Sequence, residues 1–229
     1  MNDSVASPTM GLFCDFDGTI ASADMIAAIM TEFAPQPSGP IISAIVAGTI
    51  DIQQGVQQLF GLLPSSAFRA VREFALARVV LRPGFPRFVA LCRERGWRLV
   101  VVSGGFDFFV EPALAPFRDN LTIHCNSLDL SGPMMRVVWN VPCDAKCVGG
   151  CGLCKPSVMR LYQGLVETRI VIGDGVTDQR AAQQADFVFA RDRLLGLCEE
   201  ANVPHMGFDT FDDISDELER RYGEARTDD

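Results

Sequence analysis

The pattern that decides the fold begins with the segment Met10-Gly-Leu-Phe-Cys-Asp-Phe-Asp-Gly-Thr19. This short apolar run is rich in strand-forming residues and ends in an Asp-Gly turn, which predicts a buried strand. Two later runs have the same form, Trp97-Arg-Leu-Val-Val-Val-Ser-Gly-Gly105 and Arg169-Ile-Val-Ile-Gly-Asp-Gly175. Such β-branched runs closed by glycines are typical of parallel strands that are buried on both faces.

Helical patterns alternate with these runs, at residues 85–95 and 178–184, and weaker strand signals follow at 186–190 and 203–208. This alternation predicts an α/β fold with a doubly wound parallel sheet. We expect a core of residues 1–19 and 83–229 that ends in a helix at 211–223 and contains a hairpin and a Cys-rich loop at about 121–154. Apolar residues at helical spacing predict a small helical insertion over 20–82.

Composition excludes several classes of protein. The 229 residues are 48% hydrophobic with 21% charged side chains and a net charge of −9, which argues against disorder and against binding to nucleic acid or anionic membranes. The sequence contains no apolar stretch of 18 residues, and Met1 to Pro8 lack the features of a signal peptide. We therefore expect a soluble cytoplasmic protein whose eight cysteines form no secreted disulfide scaffold.

Four short motifs follow the predicted strands or begin a helix: Asp15-Phe-Asp-Gly-Thr, Ser103-Gly-Gly, Lys155-Pro-Ser and Gly173-Asp-Gly-Val-Thr-Asp178. The carboxyl ends of neighbouring parallel strands meet in one crevice, so all four motifs can meet there. The carboxylates of Asp15, Asp17, Asp174 and Asp178 would repel one another unless a divalent cation bound between them. Their hard oxygen ligands suit Mg²⁺.

These residue types suit the hydrolysis of a small-molecule phosphate ester. Asp15 can attack phosphorus and form an aspartyl-phosphate, while Asp17 protonates the leaving oxygen and then activates water. The Ser103 hydroxyl and the backbone amides of Gly104 and Gly105 can donate to phosphate oxygens, and Lys155 supplies positive charge. Neither histidine, His124 or His205, lies in a motif, so both are expected to be structural.

The ordered set of motifs resembles the haloacid dehalogenase superfamily over nearly the whole chain, and the second aspartate favours a phosphatase. The resemblance implies a Rossmann-like hydrolase core with Asp15 as nucleophile, Asp17 as acid and base, and Ser103 and Lys155 as phosphate ligands. It also implies that Asp15, Asp174 and the Asp17 carbonyl bind Mg²⁺, with Asp178 supporting that site. The insertion at 20–82 corresponds to the cap of the phosphoserine-phosphatase-like branch.

Longer strings are more specific: Phe60-Gly-Leu-Leu-Pro-Ser-Ser, Ser103-Gly-Gly-Phe-Asp-Phe-Phe-Val, Cys154-Lys-Pro-Ser-Val and Phe189-Ala-Arg-Asp. They resemble the 2-hydroxy-3-keto-5-methylthiopentenyl-1-phosphate phosphatases of methionine salvage. Asp24 could meet an ammonium group, but no basic residue precedes Arg69, so the cap offers little to hold a carboxylate. We expect a neutral, partly apolar leaving group.

Several alternatives stay open. Phosphoserine or another small phosphomonoester could be the substrate, and a phosphomutase shares the aspartyl-phosphate chemistry. A catalytically silent regulatory module could have the same fold. Four further residues, Cys143, Cys147, Cys151 and Cys154, form a cluster directly before Lys155. It can bind a structural Zn²⁺, form disulfides or stay reduced. No oligomeric state follows from the sequence.

Overall fold

The computed structural model describes residues 9–223, in which seven strands form one sheet. The strands are β1 (Met10–Cys14), β2 (Arg98–Phe106), β3 (Thr122–Asp129), β4 (Arg136–Val138), β5 (Thr168–Gly173), β6 (Phe187–Ala190) and β7 (His205–Gly207). Their order is β4-β3-β2-β1-β5-β6-β7, and all neighbours are parallel except β3 and β4. The predicted α/β class with a mostly parallel sheet is confirmed.

The centre of the sheet is β1, which pairs with β2 on one side and β5 on the other. The chain builds the sheet outward from β1 through β2 and β3, then returns to the opposite side of β1 for β5. The order of strands therefore reverses beside β1. In open α/β sheets a crevice opens beyond the carboxyl ends of the strands at such a reversal, and ligands bind there.

Helices cover both faces of the sheet because successive strand residues point to opposite sides. In β1, Leu12 and Cys14 pack into one apolar cluster and Phe13 into another. The first cluster includes residues of α5 (Phe85–Glu94), α6 (Asp107–Leu114) and α10 (Phe211–Tyr222). The second includes residues of α7 (Lys155–Leu161), α8 (Gln179–Ala182) and α9 (Asp192–Glu200).

Four helices lie between β1 and α5 in the chain, and we call them the helical insertion. They are α1 (Met25–Phe33), α2 (Pro35–Val46), α3 (Ile52–Phe60) and α4 (Phe68–Arg78). The chain enters and leaves the insertion side by side, since Ser22 N donates to Val80 O at 3.0 Å and Arg82 N donates to Ile20 O at 2.7 Å. Two adjacent chain segments, at residues 20–22 and 80–82, therefore connect these helices to the sheet.

Local details differ from the sequence-based expectations. The glycines after Ser103 do not end their strand. Instead β2 continues to Phe106, and its register against β3 shifts after Val102.

The expected hairpin is present, with β3 and β4 antiparallel, and α10 begins at a capping box formed by Thr210. Met1 to Pro8 lie outside the described residues. No helix within residues 9–223 combines the length and the hydropathy needed to cross a membrane.

Candidate active site

Strand register brings three of the four motifs to one edge of the sheet. Asp15 N donates to Ile172 O at 2.9 Å, so the pairing of β1 with β5 continues one residue past β1 and leads directly to Asp174. On the other side Cys14 pairs with Val101, which places Ser103 just beyond the end of β1. Lys155, the first residue of α7, completes the group through its side chain.

The carboxylates of Asp15, Asp174 and Asp178 form a cluster in which one oxygen of each lies within 4.8 Å of the others. Lys155 Nζ lies 2.7 Å from Asp15 Oδ1 and 2.5 Å from Asp178 Oδ1, and its side chain is only 5% exposed. Thr19 Oγ1 donates to Asp174 Oδ1 at 3.1 Å. The cluster therefore contains three acidic groups around one buried cation.

Asp178 also holds the loop that follows β5. Its second carboxylate oxygen accepts hydrogen bonds from the backbone amides of Asp174 and Gly175, at 3.3 and 3.2 Å. A Cβ atom at Gly173 would lie 2.4 Å from Asp178 Cγ, so only glycine leaves room for this carboxylate. Asp178 thus orients both Lys155 and the loop that carries Asp174.

Burial and charge act in opposite directions on these groups. Burial raises the pKa of Asp15 well above its usual value, and the charge of Lys155 offsets only part of that rise. Burial alone would lower the pKa of Lys155, but the carboxylates of Asp15 and Asp178 outweigh it and raise the pKa. The pKa of Asp174 is raised by burial and by the charge of Asp178. A further positive charge would be strongly favoured here.

Asp17 has different contacts from the other three aspartates. Its Oδ1 accepts a hydrogen bond from Met25 N at 3.0 Å, at the start of α1. Burial, followed by the nearby charge of Asp24, raises the pKa of Asp17 to about 8. A carboxyl group with this pKa is protonated at neutral pH and can act as a general acid. Gly18 allows the turn between Asp17 and Thr19 with a φ of +78°.

The Ser103 motif lies on the other side of the cluster. Ser103 is fully buried, and its Oγ accepts a hydrogen bond from Gly105 N at 2.9 Å. The carbonyl of Gly104 accepts from Asn126 Nδ2 at 3.0 Å, which fixes the peptide orientation. A Cβ atom at Gly105 would lie 2.5 Å from Asp17 Oδ2, so the two motifs are in close contact.

A cavity of about 340 Å³ opens between the carboxylates and the helical insertion. Asp15, Asp17, Asp174, Gly104 and Gly105 line the end nearest the sheet. The residues from the insertion are mainly apolar: Ile26, Ala27, Met30, Ile42, Ile45, Val46, Ile52, Val56 and Leu59. No lysine, arginine or histidine is among the lining residues, all of which belong to the described part of the chain.

Asp24 lies at this cavity, but its carboxylate has a structural partner. Its Oδ1 accepts a hydrogen bond from Ala27 N at 2.9 Å and caps the N-terminus of α1. Capping by aspartate stabilises a helix by satisfying an amide that has no partner within the helix. Helix capping is therefore sufficient to explain an acidic residue at position 24, and no contact of Asp24 with a ligand is needed for that explanation.

The four clustered cysteines form a second group, outside the carboxylate site. The Sγ atoms of Cys143, Cys147, Cys151 and Cys154 all lie within 4.8 Å of one another. All four are free thiols, like the other four cysteines of the chain. The structure therefore brings together every cysteine of the motif.

Sequence reasoning missed several supporting residues. Arg82, only 9% exposed, donates from Nη2 to Gly18 O at 2.6 Å and from Nε to Thr19 O at 2.7 Å. It therefore holds the turn that carries Asp17. Asn126, which positions Gly104, was also missed. The only signal for Arg82 was its place at the predicted end of the insertion, and Asn126 had none.

Comparison with known proteins agrees with this geometry. The haloacid dehalogenase-like hydrolase family matches residues 12–183. A 2-hydroxy-3-keto-5-methylthiopentenyl-1-phosphate phosphatase from Geobacillus thermodenitrificans (strain NG80-2) is 46% identical over 209 residues, which cover 91% of this chain and 95% of the relative. A protein of the same name from Brevibacillus brevis (strain 47 / JCM 6285 / NBRC 100599) is 44% identical, with 91% and 94% covered.

Solved structures share the fold at lower identity. A substrate-bound phosphoserine phosphatase has a TM-score of 0.70 at 17% identity and covers 91% of this chain and 98% of its own. A phospho-aspartyl intermediate analogue of phosphoserine phosphatase has a TM-score of 0.69, also at 17% identity, with 92% and 99% covered. The extent of the family match and the identity to relatives of nearly equal length establish that the chain belongs to the haloacid dehalogenase-like hydrolase family.

Proposed function

We propose that the protein is a phosphomonoesterase that works through an aspartyl-phosphate on Asp15, with a partly apolar, uncharged leaving group. One observation carries the proposal: Asp15, which is paired with Lys155, lies at one end of a cavity whose walls in the helical insertion are mainly apolar and contain no basic residue. Such a cavity suits a ligand with a phosphate at one end and an apolar tail at the other.

The carboxylate cluster fits Mg²⁺. Asp15, Asp174 and Asp178 offer hard oxygen atoms within 4.8 Å of one another, which suits Mg²⁺. Burial, together with the charges of the neighbouring carboxylates, raises the pKa of Asp15 and of Asp174, so a bound cation would favour their ionised forms. We propose that Asp15, Asp174 and the backbone carbonyl of Asp17 hold the ion, with Asp178 supporting the site. When bound, Mg²⁺ would supply charge that neutralises the phosphate and keeps Asp15 ionised.

The chain's own groups can then divide the reaction. The Asp15 carboxylate attacks phosphorus and forms a P–O bond while the bond to the leaving oxygen breaks. Protonated Asp17 donates its proton to that leaving oxygen and, as a carboxylate, then removes a proton from the water that hydrolyses the aspartyl-phosphate. The Ser103 hydroxyl and the Gly104 amide donate to phosphate oxygens, and Lys155 offsets the charge that develops there. The Gly105 amide, which the sequence also offered as a phosphate donor, instead donates to Ser103 Oγ and orients that hydroxyl.

The helical insertion is the proposed cap, over residues 20–82, and the proposed determinant of the leaving group. The relatives' name specifies a substrate with a methylthio group, and the isoleucine, leucine and methionine side chains at the cavity suit such a tail. Phosphoserine carries a carboxylate, for which the lining residues offer no cation. We therefore propose 2-hydroxy-3-keto-5-methylthiopentenyl-1-phosphate as the substrate, within methionine salvage.

We further propose that the reaction takes place in the cytoplasm. All eight cysteines are free thiols, which is usual for proteins of a reducing compartment.

Replacement of the nucleophile tests the chemistry. We expect Asp15→Asn to abolish magnesium-dependent release of phosphate from a generic phosphomonoester, whereas Asp119→Asn, at an exposed aspartate remote from the motifs, keeps the wild-type rate. Acid quenching of wild-type protein during turnover should yield a phosphorylated peptide that contains Asp15. Equal hydrolysis by the wild type and Asp15→Asn would show that the proposed mechanism is wrong.

A further inference from the structure

We propose that Cys143, Cys147, Cys151 and Cys154 bind one structural Zn²⁺ ion, which fixes the loop that precedes Lys155 against the helical insertion. We call residues 143–154 the cysteine loop. The inference goes beyond the proposed phosphatase function, because it concerns a second metal site with no part in the chemical steps.

The distances between the thiols suit one ion. A tetrahedral Zn²⁺ site with Zn–S bonds of about 2.3 Å has sulfur atoms roughly 3.8 Å apart. In the structure all four Sγ atoms lie within 4.8 Å of one another, and Cys147 Sγ lies 3.5 Å from Cys151 Sγ. A disulfide would require a sulfur–sulfur distance of about 2.05 Å. An iron–sulfur cluster would hold its thiolates further apart, because its own iron and sulfide atoms lie between them.

The backbone of the loop is shaped to bring the four thiols together. Gly149, Gly150 and Gly152 have φ angles of +92°, +75° and +70°, in the region that other residues rarely adopt. Left-handed backbone at these three positions favours glycine over other residues. We attribute this requirement for glycine to a loop conformation that brings the four thiols together.

Groups around the cysteines would stabilise bound thiolates. Arg180 Nη1 lies 3.1 Å from Cys151 Sγ and donates to Gly149 O at 3.0 Å, so the guanidinium is held beside the sulfur atoms. Ser157 Oγ donates to Cys154 Sγ at 3.0 Å. Four thiolates around one Zn²⁺ carry a net charge of about −2, which a neighbouring arginine partly offsets.

The position of the loop explains what the ion would do. Cys154 is followed directly by Lys155, whose Nζ is held between Asp15 and Asp178. At the other side of the loop, Gln53 N in α3 donates to Gly150 O at 3.3 Å. The cysteine loop therefore contacts the insertion and leads into the catalytic lysine, so crosslinking its four thiols restrains both contacts.

Metal analysis of the protein purified without chelator tests the proposal. We expect about one zinc per chain, and after exchange with Co²⁺ the intense visible absorption of tetrahedral cobalt thiolate. Cys147→Ala should lower the zinc content at least about fivefold and reduce the Tm, whereas the matched variant Cys198→Ala, at a buried cysteine in α9, keeps its zinc.

The wild-type measurements decide the matter even where a variant fails to fold. Wild-type protein with less than about 0.1 zinc per chain, and without the cobalt thiolate spectrum after Co²⁺ addition, would overturn the proposal. So would a mass for the unreduced protein that indicates disulfides among the four cysteines. Zinc content is independent of phosphate release, so a failure here and a failure of the proposed phosphatase are distinguishable.

Discussion

Replacing Lys155 by methionine perturbs the centre of the proposed site without removing a carboxylate. Lys155 Nζ lies 2.7 Å from Asp15 Oδ1 and 2.5 Å from Asp178 Oδ1, and the lysine side chain is 5% exposed. Methionine has a similar length and leaves two buried carboxylates without their cation. Removal of one partner from a buried ion pair typically costs about 3–5 kcal/mol.

Two assays measure this change. Without added magnesium, we expect Lys155→Met to lower the free energy of unfolding by about 3–5 kcal/mol and the Tm by roughly 6–20 °C. With magnesium, kcat should fall by about 10²–10³, because the transition state loses a positive group beside the phosphate. Urea unfolding and steady-state phosphate release report the two effects separately.

The chain offers a matched control, since its only other lysine is Lys146, which is exposed in the cysteine loop. Lys146→Met should change the unfolding free energy by less than about 0.5 kcal/mol and leave kcat near the wild-type value. If Lys155→Met were as stable and as active as Lys146→Met, the assignment of Lys155 to the site would be refuted.

Three further predictions concern space, specificity and charge. Gly105→Ala would place a Cβ atom 2.5 Å from Asp17 Oδ2, so the rate of phosphate release should fall at least about tenfold, whereas Gly196→Ala, where a Cβ atom meets open space, should keep the wild-type rate. Equal rates for the two variants would contradict the contact between Gly105 and Asp17. Ile26→Arg adds a cation to the cavity lining and should raise kcat/KM for phosphoserine, relative to kcat/KM for the methylthio substrate, by at least about tenfold. An unchanged ratio would show that this wall of the cavity does not determine specificity. Glu217→Gln tests an ion pair, because two arginines in α10 lower the pKa of Glu217 to about 2. At pH 7 the wild type should be more stable than this variant by up to about 1 kcal/mol, and the difference should shrink as pH falls below about 4.5 towards 2. A difference in unfolding free energy that is constant with pH would contradict the pairing.

The sheet and the chemical groups were predictable because their signals are local. A short apolar run followed by Asp or by Gly marks each central strand, and Asp15 and Asp174 follow their strands directly. The order of the motifs then placed Asp15, Ser103 and Asp174 at one sheet edge without any knowledge of distances. The absence of basic residues before Arg69 likewise anticipated the apolar cavity.

The supporting contacts were not predictable because they join residues far apart in the chain. Arg82 holds the turn at Gly18 across more than sixty positions, and Asn126 binds Gly104 from a different strand. Sequence spacing also gave no sign that both carboxylate oxygens of Asp178 accept hydrogen bonds, one from Lys155 and the other from backbone amides. Those contacts depend on the conformation of the loop after β5. The end of β2 was misplaced because glycine usually interrupts strands, whereas here its small size admits Asp17 beside the strand.

The central claim is that an apolar cap and an aspartate nucleophile select a phosphate ester with a neutral, partly apolar leaving group. The most direct test is the kcat/KM of the wild-type protein, with magnesium, for 2-hydroxy-3-keto-5-methylthiopentenyl-1-phosphate and for phosphoserine. We predict that the methylthio substrate is preferred by at least about 10²-fold, because phosphoserine would bring an unpaired carboxylate to the cavity. A markedly higher kcat/KM for phosphoserine would contradict the account.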